Sequence, residues 1–522
     1  MKLRALAASL CLFAAIPFAH AAGTVTFCIE AAPEGFDMAQ HEAGTTFDAV
    51  GITIYDQLMI IKPGSTELLP GLAESYTISP DGTQYTFKLR PNVKFHSTSY
   101  FKPTRDFNAD DVLFSFQRML DKKHWAHDAA PNGFNYWVSM GMPDLVKSIE
   151  KIDAMTVRFT LNRPESPFIA TLAVPAVGPV LSAEYAEQLR AKNQLAQLNQ
   201  LPIGTGPFAF RSYTKDAVLR MTSNAAYWGG APKFDSLVLA ITTDPDVAVQ
   251  RVKAGECMVA RIKNEAGAQF KGDPNTDVIL NKPLQTLYVA PNNQRKITGD
   301  KRVREALWLA IDKPNYIRAA YNGSGEIAAS FLPPDMWSYD KSLKNRSDLE
   351  QSKSLLKAAG YKGEELTMFV SEDTTLRRAA ELLQADWARV GVNVRLQVME
   401  QGEMFRRSGK GDHDLVLLRW GSDNADPDNF FTPNLGCAAV VGGGNKGRYC
   451  SKKLDEVLDA ARRTPDMGKR TALYQQAQKI VYDDVAVIPL IYPVRTTVVS
   501  KRLSGYEPNP MDFHDFRNSS VK

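Results

Sequence analysis

The stretch Trp420-Gly421-Ser422-Asp423-Asn424-Ala425-Asp426-Pro427-Asp428-Asn429-Phe430-Phe431 decides the reading of this chain. The residues before it, Asp414 to Trp420, are a short apolar run of the kind that forms a buried strand. Beyond Trp420 the residues become acids and amides interleaved with Gly, Ala and Pro. Such side chains fold back on nearby backbone amides and make turns. Asp426 and Asp428 read as caps within that turn region, and Asp423 taken on its own reads the same way.

Upstream, the same change from apolar periodicity to turn chemistry recurs. Tyr85-Thr86-Phe87-Lys88-Leu89-Arg90 alternates with period two after Ser79-Pro80-Asp81-Gly82, so it reads as a strand leaving a hairpin. Asn108-Ala109-Asp110-Asp111 opens a helix, with Asn108 as N-cap and Val112, Phe116 and Met119 as its apolar stripe. A second helix is expected from about Thr375 to Val390, stopped by Gly391. Val392, Val394, Leu396 and Val398 then alternate as a half-buried strand. Helices and strands alternate throughout, which makes this an α/β or α+β protein; no fixed-period repeat is visible.

At 522 residues the chain is long enough for two to four domains. Its first 22 residues read as an export leader. Lys2 and Arg4 give a basic start, Ala5 to Phe18 an apolar run, and Ala19-His20-Ala21 a small-x-small cleavage site. The apolar run is too short to span a bilayer and is broken by Pro17. Leu10 before Cys11 lacks the small residue that a lipidated cysteine needs. Without the leader, 60 basic residues face 58 acidic ones, a field too weak to point to nucleic acid or an anionic membrane. A periplasmic location is expected.

Four cysteines remain, and three pairings are open to them. Cys437 and Cys450 flank Gly442-Gly443-Gly444-Asn445, a flexible stretch able to fold back, and they are paired on that ground; Cys28 is left for Cys257. Zinc is disfavoured, since there is no CxxC and no paired His at ligand spacing nearby.

Catalytic patterns fail one by one. Gly204-Thr205-Gly206 is followed by Pro207 and lacks the ribose-binding acid, so it reads as a tight turn. The Gly442 run with Lys446 lacks the GK[ST] ending of a phosphate-binding loop, and Gly323-Ser324-Gly325 is no nucleophile elbow. His124 and His127, beside Lys122 and Lys123, read as an exposed loop rather than a metal site. No nucleophile, base and orienter assemble, so the chain reads as a binder, with no cofactor and no metal.

The stretch from Trp420 to Phe431, followed by Cys437, resembles the peptide-binding branch of the family 5 extracellular solute-binding proteins of ABC importers. Further matches are Leu72-Ala73-Glu74-Ser75, Phe107-Asn108-Ala109-Asp110-Asp111-Val112, Gly204-Thr205-Gly206-Pro207-Phe208, Tyr227-Trp228, Val303-Arg304-Glu305-Ala306-Leu307 and Gln384 to Val392. The resemblance implies a two-lobed α/β periplasmic binding protein fold that closes by a hinge, with an extra domain inserted in the first lobe. On that pattern residues 1–21 are the leader, and 22–55, 204–282 and 494–522 make a discontinuous main lobe. The inserted domain is then 56–203 and the second lobe 283–493. The resemblance implies the same disulfide pairing. It also implies a short peptide ligand, delivered by a monomer to an inner-membrane permease and ATPase complex.

In such proteins the acid three residues after the Trp holds the ligand's ammonium, here Asp423; Trp420 is a wall of the cleft or a core aromatic at a strand end. Gly44-Thr45-Thr46 matches a ligand-contacting turn. One departure stands out. The family's dipeptide binders carry an Arg just before the Thr375–Val390 helix to clamp the ligand carboxylate, whereas Met368-Phe369-Val370-Ser371 leads here to Glu372 and Asp373. Either Arg419 or Arg377 replaces it, or the ligand is longer, amidated or basic. Haem, a metal chelate or an antimicrobial peptide is the rival ligand on this scaffold, and a secreted hydrolase the rival class.

Overall fold

The computed structural model describes residues 23–131, 133–441 and 443–522. The expected leader, the Cys11 test and Gly442 lie outside them.

Three sheets organise the chain. A seven-stranded mixed sheet runs in the order Thr276–Asn281, Arg495–Ser500, Val259–Ile262, Thr24–Ile29, Ser236–Ile241, Val218–Ser223, Phe208–Thr214. Thr24–Ile29 lies parallel to both of its neighbours, and the other pairings are antiparallel. A four-stranded antiparallel sheet, Ala73–Ile78, Gln84–Leu89, Thr156–Leu161, Val146–Asp153, is built entirely from the segment between Thr24–Ile29 and Phe208–Thr214. The six-stranded sheet takes Gly325–Ile327, Ile488–Pro493, Gln285–Pro291, Leu415–Gly421, Leu366–Ser371 and Val394–Met399, in that order. The chain crosses between the seven- and six-stranded sheets at residues 282–284 and again at Val494, two neighbouring connections.

Local chemistry explains the elements. The helix Ala109–Leu120 starts at Asn108, whose side chain accepts from the Asp110 amide at 2.8 Å while Asp111 accepts from the Asn108 amide at 3.0 Å. Its Arg118 is fully buried and forms a two-pronged pair with Asp37 at 2.6 Å, tying the inserted segment to the chain just after the first strand. The later helix runs Thr374–Ala388, and its N-cap is Asp373, one of the two acids that the sequence places where a cation was expected. The strand after it is Val394–Met399. Val394 is buried but Val398 is exposed, at the open edge of its sheet.

Gly204 and Gly206 are required for a reason other than a turn. A Cβ on Gly204 would sit 2.0 Å from the Ile54 carbonyl oxygen and one on Gly206 2.5 Å from that of Thr53. The two segments run backbone against backbone, with Gly206 donating to Ile54 at 2.9 Å. His124 and His127 are half-buried rather than exposed: His124 stacks on Trp125, and the His127 ring bonds the Arg118 carbonyl at 2.8 Å. Both disulfides have the pairing read from the spacing, Cys28–Cys257 and Cys437–Cys450.

Candidate functional site

The strand Leu415–Gly421 sits between Gln285–Pro291 and Leu366–Ser371, and its alternation sorts the side chains. Leu415 and Leu417 join the apolar cluster on the helical face of the sheet. Val416, Leu418 and Trp420 join a second cluster, continuous with the core that holds the first strand. Trp420 therefore lies on the face turned toward the seven-stranded and four-stranded sheets, and the loop that follows projects from this edge. The loop is self-capped as its composition requires. Ser422 Oγ accepts from the Ala425 amide at 2.9 Å, Asn424 Oδ1 from Asp426 at 3.0 Å, and Asp426 Oδ1 from Asp428 at 3.0 Å.

Asp426 and Asp428 do more than cap. Arg470 Nη2 lies 3.0 and 2.9 Å from the two Asp426 oxygens, a buried charge pair that pins the loop to the helix Met467–Asp484. Asp428 accepts from Thr432 at 2.7 Å, and Arg462 donates to that same Thr432 hydroxyl at 2.9 Å.

Asp423 is used differently. Tyr136, from the inserted segment, donates its hydroxyl to Asp423 Oδ2, and Asn429 donates to that hydroxyl at 3.0 Å. The Asp423 amide donates to Asn429 Oδ1 at 3.1 Å. Among the described residues Oδ1 of Asp423 has no hydrogen-bond partner, and no guanidinium or ammonium pairs with the carboxylate. Burial pushes its pKa up to about 6. The Tyr136 and Asn429 hydrogen bonds oppose that rise, and the charge of Glu42 adds to it. Glu42 stands two residues before Gly44, and Phe47, directly after the Gly44-Thr45-Thr46 turn, packs edge-on to Tyr136, so this turn lies on the Asp423 side. Nothing lies within 4 Å of where a Cβ of Gly44 would be, which leaves its backbone open. The Thr46 hydroxyl, by contrast, is occupied: it accepts from the Glu34 amide at 3.0 Å.

Arg419 points to the other side of the same strand. It is solvent-exposed and pairs with Asp373 at 3.5 Å. Arg377 is exposed on its helix. Sequence reasoning missed Tyr136, Asn429 and Arg470. Asn429 lay inside the quoted stretch with its amide as a signal, but Tyr136 is 287 residues away from its partner and carries no local mark. Among the described residues no group of three or more His, Cys, Asp and Glu side chains could hold a metal, and no helix is long and apolar enough to cross a membrane.

Comparison with known proteins places this arrangement. Di/tripeptide-binding protein 2 of Pseudomonas aeruginosa is 45% identical over 500 residues, covering 94% of each chain. The ABC transporter-associated periplasmic binding protein DppA from Helicobacter pylori, solved with the peptide STSA, superposes with a TM-score of 0.91 at 34% identity, covering 96% of this chain and 98% of that one. The dipeptide-binding protein of Pseudoalteromonas with Met-Leu gives 0.90 at 33% identity, covering 96% and 100%. Residues 67–441 match the model for bacterial extracellular solute-binding proteins, family 5. With the match over residues 67–441 and a relative 45% identical over nearly the whole chain, the chain belongs to the family 5 bacterial extracellular solute-binding proteins.

Proposed function

We propose that the protein captures di- and tripeptides, or peptides of similar length, in the periplasm and hands them to an ABC permease, with Asp423 as the anchor for the ligand's α-ammonium. The observation that carries the anchor is a half-buried carboxylate with one oxygen uncommitted and no cation of its own. Burying a charge without a partner is unfavourable, and an ammonium ligand supplies that partner in a place shielded from water. Trp420 supplies an apolar wall beside it, and Gly44 and Thr45 offer backbone to the peptide main chain while Thr46 props their turn against Glu34. Arg419 pairs with Asp373, one of the two acids at the position of the missing clamp. Its bond to Asp373 also answers the charge of one acid that would otherwise repel a carboxylate.

In this reading residues 22–55, 204–282 and 494–522 form the first lobe with 56–203 inserted, and 283–493 form the second. Closure brings Tyr136 onto Asp423 and Ser166 onto the second lobe, where Ser166 donates to the Arg462 carbonyl at 2.6 Å and to that of Thr464 at 2.9 Å. The leader read in residues 1–21 is the proposed export signal.

Isothermal titration with one dipeptide in free and N-acetylated forms tests the anchor. Removing one partner of a buried charge pair costs about 3–5 kcal/mol, so Asp423→Asn is expected to weaken binding by roughly two to three orders of magnitude. The acetylated peptide is expected to bind wild type comparably poorly. Equal binding of the two peptides to wild type overturns the anchor.

A further inference from the structure

The segment Asn162-Arg163-Pro164-Glu165-Ser166-Pro167 follows the strand Thr156–Leu161, and its Ser166 reaches Thr464, 298 residues further along the chain. The segment is fastened within the inserted part of the chain. The Asn162 amide donates to the Leu145 carbonyl at 2.8 Å, and its side-chain amide donates to that of Asp144 at 2.9 Å. The Glu165 carbonyl accepts from the Tyr85 hydroxyl at 3.0 Å and from the Phe168 amide at 3.1 Å. Pro164 and Pro167 fix φ on either side of Glu165-Ser166. Held in this way, Ser166 presents two donors together: its amide to the Arg462 carbonyl at 2.6 Å and its hydroxyl to the Thr464 carbonyl at 2.9 Å. Both acceptors stand at the end of the helix Lys452–Arg463, where a helix has no amides of its own left for its last carbonyls. The missing cap comes from a distant part of the chain.

Arg462 carries this contact inward. Its Nη1 donates to Thr432 Oγ1 at 2.9 Å, and Thr432 donates to Asp428 at 2.7 Å, at the start of the helix Asp428–Leu435 that follows the Asp423 loop. The geometry points to residues 162–167 as a clasp for the closed form: Ser166 caps the helix Lys452–Arg463 when the lobes meet and, through Arg462, Thr432 and Asp428, steadies the loop that holds Asp423. The inference rests on the reading of peptide capture by lobe closure and adds to it a positioning residue far from the anchor in sequence. Both Ser166 donors are spent on protein carbonyls, so neither is left to read a peptide. Such a grip makes no distinction among peptide sequences. It forms after the peptide has entered, so it lengthens residence and leaves the encounter rate alone.

Stopped-flow uptake and release of two free-amine dipeptides, Ala-Ala and Phe-Phe, test the clasp. Ser166→Ala deletes one of the two donors. It is expected to release both dipeptides about fivefold faster, with association rates within about twofold of wild type. Tyr85→Phe frees the Glu165 carbonyl from its sheet and is expected to speed release about threefold by loosening the same segment. Without peptide, Ser166→Ala is expected to melt with wild type, because in the open form the hydroxyl is in water. If the variant melts lower without peptide by as much as with it, the contact is permanent and the clasp is overturned. Release from Ser166→Ala at the wild-type rate, or a factor that differs between the two dipeptides, also overturns the clasp and leaves the capture reading standing. If wild type takes up neither dipeptide, the capture reading fails and the clasp fails with it.

Discussion

Arg419 and Asp423 stand four residues apart at the end of one strand, and their surroundings are opposite. Asp423 faces the interior, is contacted by Tyr136 from a distant segment and by Asn429 from its own loop, and has its acidity shifted by burial. Arg419, on the helical face, reaches into solvent and meets one carboxylate that already caps a helix. A charge held in a low-dielectric setting changes free energy strongly when its partner is altered. One bathed in water and salt changes it little. On the proposed assignment of Asp423 to the ligand's amine and Arg419 to its carboxylate, the two ends of a zwitterionic ligand are read with unequal strength, the amine end dominating.

The largest expected effect comes from the support of the amine end. Arg470→Leu leaves Asp426 buried without its cation, and a loss of about 3–5 kcal/mol in urea unfolding is expected, together with loss of peptide binding. A variant that unfolds like wild type breaks the claim that the loop is rigidly held. Next is pH. The Asp423 carboxyl, raised to about 6 without ligand, must be ionised to take an ammonium, so protons compete with the ligand below that value. Affinity is expected to be about tenfold weaker at pH 5 than at pH 7.5, and a flat profile would assign the anchor elsewhere. For the ligand-free protein the sign is reversed. A carboxyl raised on folding favours the folded state at low pH and loses that advantage as pH rises through about 6, so Asp423→Asn is expected to stabilise the unliganded protein at pH 8. At the exposed end, Arg419→Ala is expected to cost less than about fivefold in dipeptide affinity, an effect that fades in high salt. Arg377→Ala is expected to leave affinity within about twofold, since its side chain is in water on the helix. A loss at Arg377 as large as that at Asp423 would invert the comparison.

How much of this was legible in the sequence follows from the range of each interaction. The turn from Ser422 to Asp428 could be read because its hydrogen bonds span two or three residues, and Asn108 could be read as a cap for the same reason. The buried run before Trp420 and the disulfide around residues 438–449 are likewise short-range. Tyr136 on Asp423 and Arg470 on Asp426 depend on chain paths that no local pattern encodes. Asp373 shows a subtler limit. Its charge was visible, but its commitment to the amide of Leu376 and to Arg419 was not, so the acid looked more hostile to a carboxylate than it is. The edge position of Val394–Met399 was hidden in the same way, since alternation shows two faces without showing how far a neighbour extends.

The double crossing at residues 282–284 and Val494 also fixes the order in which the molecule can assemble. The strand Arg495–Ser500 lies between Val259–Ile262 and Thr276–Asn281, and without it the latter strand has no neighbour in its sheet. The first strand of that sheet emerges near residue 24 and its last near residue 500, so synthesis delivers almost the entire chain before the sheet can be completed. Such long-range pairing folds slowly and leaves open edges exposed in the meantime. The six-stranded sheet waits almost as long, because Ile488–Pro493 must enter between Gly325–Ile327 and Gln285–Pro291, so both sheets are closed by the same last stretch of chain on either side of Val494.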